Sequence, residues 1–84
     1  MEETFDFGEA IKRLKAGSRV ARAGWNGKGM WIVLIKPGNA MHTSAAEKYP
    51  MQECIGMKNA QEEMQPGWLA SQLDMLAEDW TEVK

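Results

Sequence analysis

At 84 residues and a net charge of −2, the chain has room for one domain and is not basic enough overall for a general DNA or RNA binder. A single cysteine, Cys54, excludes an internal disulfide, and with a single histidine, His42, it argues against a four-ligand structural zinc site; these are two usual supports of a small fold. Self-association is the remaining support, and seven Met with four Trp, residue types enriched at protein–protein contacts, agree with it.

Met1-Glu2-Glu3-Thr4 is acidic, and no apolar h-region follows it. The longest apolar run, Met30 to Ile35, is far too short to span a bilayer. Neither leader nor membrane partner is expected, and the free cysteine suits a reducing cytoplasm. Phe5 to Ala16 then reads as an amphipathic helix. Asp6 is its N-cap, with Glu9 placed for an aspartate version of the capping box. Phe7, Ala10, Ile11 and Leu14 make its apolar stripe, and Gly17 its stop. Lys12, Arg13 and Lys15 sit late, where cations suit the macrodipole. They belong to a run from Lys12 to Lys36 that holds seven basic residues and no acid.

Ser18 to Ala23 reads as a short strand, and Asn26-Gly27 with Gly29 as a turn. Met30 to Lys36 is a strand with apolar residues on both faces, hence central or at an interface. Pro37-Gly38 ends it, and Asn39 to Pro50, with no clear period, reads as a loop. Gln52 to Lys58 is a weaker strand, Asn59 to Glu62 a polar turn, and Glu63 to Gln65 a short return strand. Ser71 with Asp74 forms a capping-box signal. Leu73, Leu76, Ala77 and Trp80 at helical spacing predict a short helix ending near Asp79, before a closing strand over Thr81 to Val83. The pattern predicts one α+β domain over residues 1–84: an N-terminal helix, an antiparallel sheet and a short C-terminal helix, in a homo-oligomer.

No catalytic set is visible. His42 stands alone, and Thr43, Ser44 and Ser71 lack a nucleophile-elbow context. Cys54 reads as a small buried hydrophobe. Asp74 and Glu78 lie at i, i+4, a common solvated pair, and Gly24 to Gly29 matches neither phosphate-loop spacing. No metal or cofactor is expected.

Binding chemistry is easier to find. Trp25 in a turn and Trp68 before a helix start offer flat faces for a nucleobase. Ser71 marks a helix N-terminus suited to phosphate, Asn26 can read a base edge or a ribose, and Asp74 can accept from hydroxyls or an amine. Arg22, beside the turn, is the expected phosphate partner, and Phe7 a third apolar wall. Each of these residues alone has an equally ordinary structural explanation.

Two stretches carry a family resemblance. One runs Phe7-Gly8-Glu9-Ala10, Val20-Ala21-Arg22 and Gly24-Trp25-Asn26-Gly27-Lys28-Gly29-Met30. The other runs Trp68-Leu69-Ala70-Ser71-Gln72 and Asp74-Met75-Leu76-Ala77-Glu78-Asp79-Trp80. They resemble a family of small phage and prophage proteins that act as the second type of Thoeris anti-defence protein. The resemblance implies a non-enzymatic sponge in the cytoplasm of the infected bacterium. Such a sponge binds a cyclic ADP-ribose isomer (glyco-cyclic ADP-ribose) without cleaving it, so the Thoeris effector is not activated. It further implies homotetramers with pockets at subunit interfaces, and in some members a separate site for cyclic di- or trinucleotides. The competing readings are a protein-interaction module, a nucleotide-signal hydrolase and a single-stranded nucleic-acid binder; the acidic C-terminal half argues against the last.

Overall fold

The computed structural model describes residues 3–25, 29–38 and 40–84, the side chains of 40–42 excepted. The first helix, α1, spans Phe7–Lys15. Asp6 caps it, its side chain accepting from the Glu9 N–H at 2.9 Å. The Glu9 carboxylate does not complete the box as predicted but is drawn to Arg13 Nε. At the other end Gly17 takes φ +99°, and the N–H groups of Gly17 and Ser18 bond the carbonyls of Leu14 and Arg13. That left-handed exit uses two carbonyls the helix cannot satisfy internally. Phe5, predicted helical, is extended instead and pairs backbone to backbone with Trp80.

Among the described residues seven strands follow: β1 (Arg19–Arg22), β2 (Trp31–Ile35), β3 (Ala40–His42), β4 (Lys48–Pro50), β5 (Cys54–Lys58), β6 (Met64–Pro66) and β7 (Trp80–Val83). A second helix, α2, spans Gln72–Leu76 before β7. Five strands form an antiparallel sheet in the order β6-β5-β2-β1-β7. The two-sided apolar strand is therefore central, and the closing strand lies at an edge. Asn59 makes the predicted polar turn, its Oδ1 accepting from the N–H groups of Gln61 and Glu63.

Two further predictions need correction. The loop read from Asn39 to Pro50 contains the β3–β4 hairpin. Asn39 itself is outside the described residues. The hairpin is closed by Thr43, whose Oγ1 accepts from Ala45 and Glu47, and by Ala46 at φ 66°. Every residue of β4 is exposed, so no apolar alternation marks it. The second helix also stops at Leu76 rather than near Asp79, because Ala77 turns extended at ψ 150°. Trp80 thus belongs to a strand, and its helical spacing from Leu73 and Leu76 was misleading.

One face of the sheet carries the core. Val20 and Ile32 face each other across β1 and β2, with Ala10 and Leu14 of α1 and Trp80 of β7 packed against them. All five are essentially buried. Residues in alternate register, Trp31, Val33 and Ile35, line the opposite face and stay half-buried. The radius of gyration is 13.9 Å, against about 12 Å for a compact chain of this length.

Candidate functional site

Four aromatic side chains meet at the end of the core. Trp80 is the hub, fully buried and held by its indole N–H donating to the Asp74 carbonyl at 3.0 Å. Around it lie Phe7 of α1 at 5.4 Å, Trp25 at 5.4 Å and Trp68 at 6.2 Å between ring centroids. Trp25 and Trp68 also meet each other edge to face at 6.2 Å. The edge-to-face contacts suit the ring quadrupoles and leave part of each half-buried indole open. Trp68 is placed by β5: the N–H groups of Gly67 and Trp68 both donate to the Ile55 carbonyl, with Gly67 at φ 86°.

A polar clamp runs along the edge of this cluster. Arg22 Nε donates to Asp79 Oδ1 and an Nη1 hydrogen to Asp74 Oδ1, both at 2.9 Å. Asp74 Oδ1 also accepts from the Trp25 indole at 3.3 Å, and Oδ2 from the Ser71 N–H. Ser71 Oγ in turn accepts from the Asp74 N–H, which closes the capping box of α2. Asp79 Oδ2 accepts from the Gly24 N–H at 2.9 Å. Burial alone would raise both acids. The Ser71 N–H and Arg22 outweigh it at Asp74, and Arg22 and the Gly24 N–H outweigh it at Asp79, so both carboxyls sit below their ordinary range. The Arg22 guanidinium is correspondingly raised, by its bond to Asp79 first and to Asp74 second.

Six of the seven residues singled out in the sequence, Phe7, Arg22, Trp25, Trp68, Ser71 and Asp74, thus lie in or beside one cluster. Asn26, with its turn partner Gly27, lies outside the described residues. The geometry qualifies two of the expected roles. Arg22 already bridges two carboxylates, so a phosphate would have to compete with them. The N–H groups of Ser71 and Asp74 serve the capping box of a five-residue helix. Sequence reasoning missed Trp80 as the hub and Asp79 as a clamp residue. Both face partners far away in the chain, and only the extended Ala77–Asp79 exit from α2 brings them there.

Beside the cluster, α2 buries none of its residues. Leu69, Leu73 and Leu76 are 89%, 76% and 78% exposed. On the opposite sheet face, Trp31 lies between two cations, with the Arg19 guanidinium 5.1 Å and Lys58 Nζ 5.7 Å from its ring. Lys58 also pairs with Glu62. An open, mostly apolar depression of about 320 Å³ lies between Tyr49, Met51, Gln52, Cys54, Pro66 and Gly67. It has apolar walls and lacks the convergent polar groups of the aromatic cluster, so the cluster is the better candidate for recognition.

No helix among the described residues is long and apolar enough to cross a membrane. Residues 5–83 match the family described as the Thoeris anti-defense 2-like domain. The chain is also similar to the Thoeris anti-defense 2 protein of Bacillus phage SP01, with 37% identity over 87 residues that cover 95% of this chain and 96% of that protein.

Proposed function

The chain belongs to the Thoeris anti-defense 2-like family, and on that premise we propose that it is a sponge for a cyclic ADP-ribose-type immune signal. It acts in the cytoplasm of the infected host as a single ligand-binding domain. It holds the signal without cleaving it, and so keeps the Thoeris effector inactive. The observation that carries this reading is the half-open pair Trp25 and Trp68 with the Asp74 carboxylate at its edge. Aromatic faces take a nucleobase, and fixed acceptors take the hydroxyls of a ribose. By residue type Asn26 would supply an amide for a base edge or a ribose, and Phe7 an apolar wall.

The working form is a homo-oligomer, a homotetramer by family likeness, with pockets between subunits. Three leucines in the open beside the site, a small core and an elongated shape support this. A second subunit would cover α2 and enclose the ligand.

The test is calorimetric titration of the purified chain with glyco-cyclic ADP-ribose isomers, followed by heat release and chromatography of the ligand. Tight binding with intact ligand is expected. Altered ligand would make the protein an enzyme, and absence of binding would reject the signal class. Trp68→Ala should abolish binding with the assembly intact. A second reading, capture of a cyclic di- or trinucleotide, is favoured by one observation: Trp31 flanked by Arg19 and Lys58 on the far face. Titration with cyclic dinucleotides, using Trp31→Ala as control, separates the two.

A further inference from the structure

The clamp beside the aromatic cluster carries more acid than base. Asp74 and Asp79 share one guanidinium, which leaves the trio with a net charge of −1. A carboxylate oxygen can accept about two hydrogen bonds. Among the described residues Asp74 Oδ1 is filled by Arg22 and Trp25, and Oδ2 holds one bond from Ser71. Each oxygen of Asp79 holds one bond from another residue, from Arg22 and from Gly24. Among the described residues, acceptor capacity therefore remains on both acids. Asp79 is the more open of them, its side chain 35% exposed against 13% for Asp74 and 21% for Arg22. Arg22 Nη2 lies near the backbone at Gly24, where a Cβ would stand 3.7 Å from it and 3.1 Å from Asp79 Oδ2.

Resting on the reading of this cluster as the ligand site, we infer that its acids, not its cation, meet the ligand. Asp79, with Asp74 behind it, accepts hydrogen bonds from ligand hydroxyls or amines. Arg22 is a positioning residue that holds both acids and, through Asp74, the Trp25 indole. A glycine at position 24 lets the backbone come close enough to complete the clamp. The site accordingly selects the donor-bearing, sugar or amino, part of a nucleotide and turns its phosphates away.

Two measurements test this. The first needs no ligand: the indole N–H resonances of the intact protein are compared between wild type and Arg22→Gln. The Trp25 signal should move as its acceptor is released, and the Trp31 signal on the far face should stay. A fixed Trp25 signal overturns the positioning role. The second is titration with glyco-cyclic ADP-ribose between low and high salt. An anion met by a cation binds more weakly as salt rises. Here affinity should hold or rise, and Asp79→Asn should weaken binding about tenfold although it removes a repelling charge. A steep loss of affinity with salt, or tighter binding by Asp79→Asn, overturns the donor-reading assignment. A wild-type chain that binds no such ligand would overturn that assignment along with the sponge reading, while the indole resonance would still decide the clamp.

Discussion

Two arginines on the helix-bearing side of the molecule gather carboxylates in the same way, with different consequences. Arg13 of α1 reaches Glu9, Glu82 and Glu3, and its guanidinium lies 4.1 Å over the Phe5 ring. Arg22 of β1 reaches Asp74 and Asp79. Both tie β1 or α1 to the C-terminal third, and both are raised in pKa by their carboxylate bonds. The acids differ. Glu3 is 73% exposed, so water and salt compete for it. Asp74 is mostly enclosed, and its remaining bonds go to the Trp25 indole and to the cap of α2. The first arginine fastens a chain end; the second sets the geometry of a recognition surface. The number of ion pairs does not separate them. What each carboxylate holds besides the arginine does.

The largest perturbation removes what both regions lean on. Trp80 is bridged to Phe5 on the Arg13 side and packed edge to face against Trp25 and Trp68 on the Arg22 side. Trp80→Ala should cost about 3–5 kcal/mol, most of the stability of a domain this small. Urea unfolding followed by circular dichroism should show a variant at or near its midpoint without denaturant. A cooperative, well-folded variant would show that the two regions do not share a core.

Arg22→Met should be the next most severe. It leaves Asp74 with its burial uncompensated, and a cost of about 1–2 kcal/mol allows for partial exposure. Acid should have the same effect. Both aspartates have folded-state pKa values below those of the unfolded chain, so their contribution is complete above about pH 4, the ordinary carboxylate value. It is lost as pH falls below that, through the depressed values. Thermal midpoints measured from pH 6 down to pH 2 should therefore fall more steeply for wild type than for Asp74→Asn/Asp79→Asn. Parallel curves would remove the clamp from the stability of the fold.

The same contrast explains what was legible in the sequence. The helix beginning at Phe7, its Asp6 cap and its Gly17 exit are contacts within a few residues of each other, so their pattern is local. The Ser71–Asp74 box is local as well. Ring and carboxylate residues of the site were visible by type and position. Their joining was not, because the Arg22–Asp79 and Trp25–Trp80 contacts depend on β1 pairing with β7. The false extension of α2 has a separate cause. Leu73 and Leu76 are spaced as a buried stripe is, yet both face outward, so periodicity there reported an apolar surface and not the core. The β3–β4 hairpin failed in the opposite way: it is built by a threonine turn and backbone pairing, with no apolar alternation to read.

Arg13→Met is the smallest effect expected, and the one that sharpens the comparison most. The methionine stem keeps an apolar contact over Phe5 while the three ion pairs disappear. These pairs involve partly or largely exposed glutamates, so much of their strength is screened. The thermal midpoint should drop less than for Arg22→Met, and the drop should shrink as salt is added, because salt already weakens the wild-type pairs. The Trp25 indole resonance and ligand affinity should stay at wild-type values, since no bond of Arg13 reaches Asp74, Asp79 or Trp25. If Arg13→Met instead moved the Trp25 resonance, the two arginines would belong to one network running through Trp80, and fastening the N-terminal segment would be part of recognition itself.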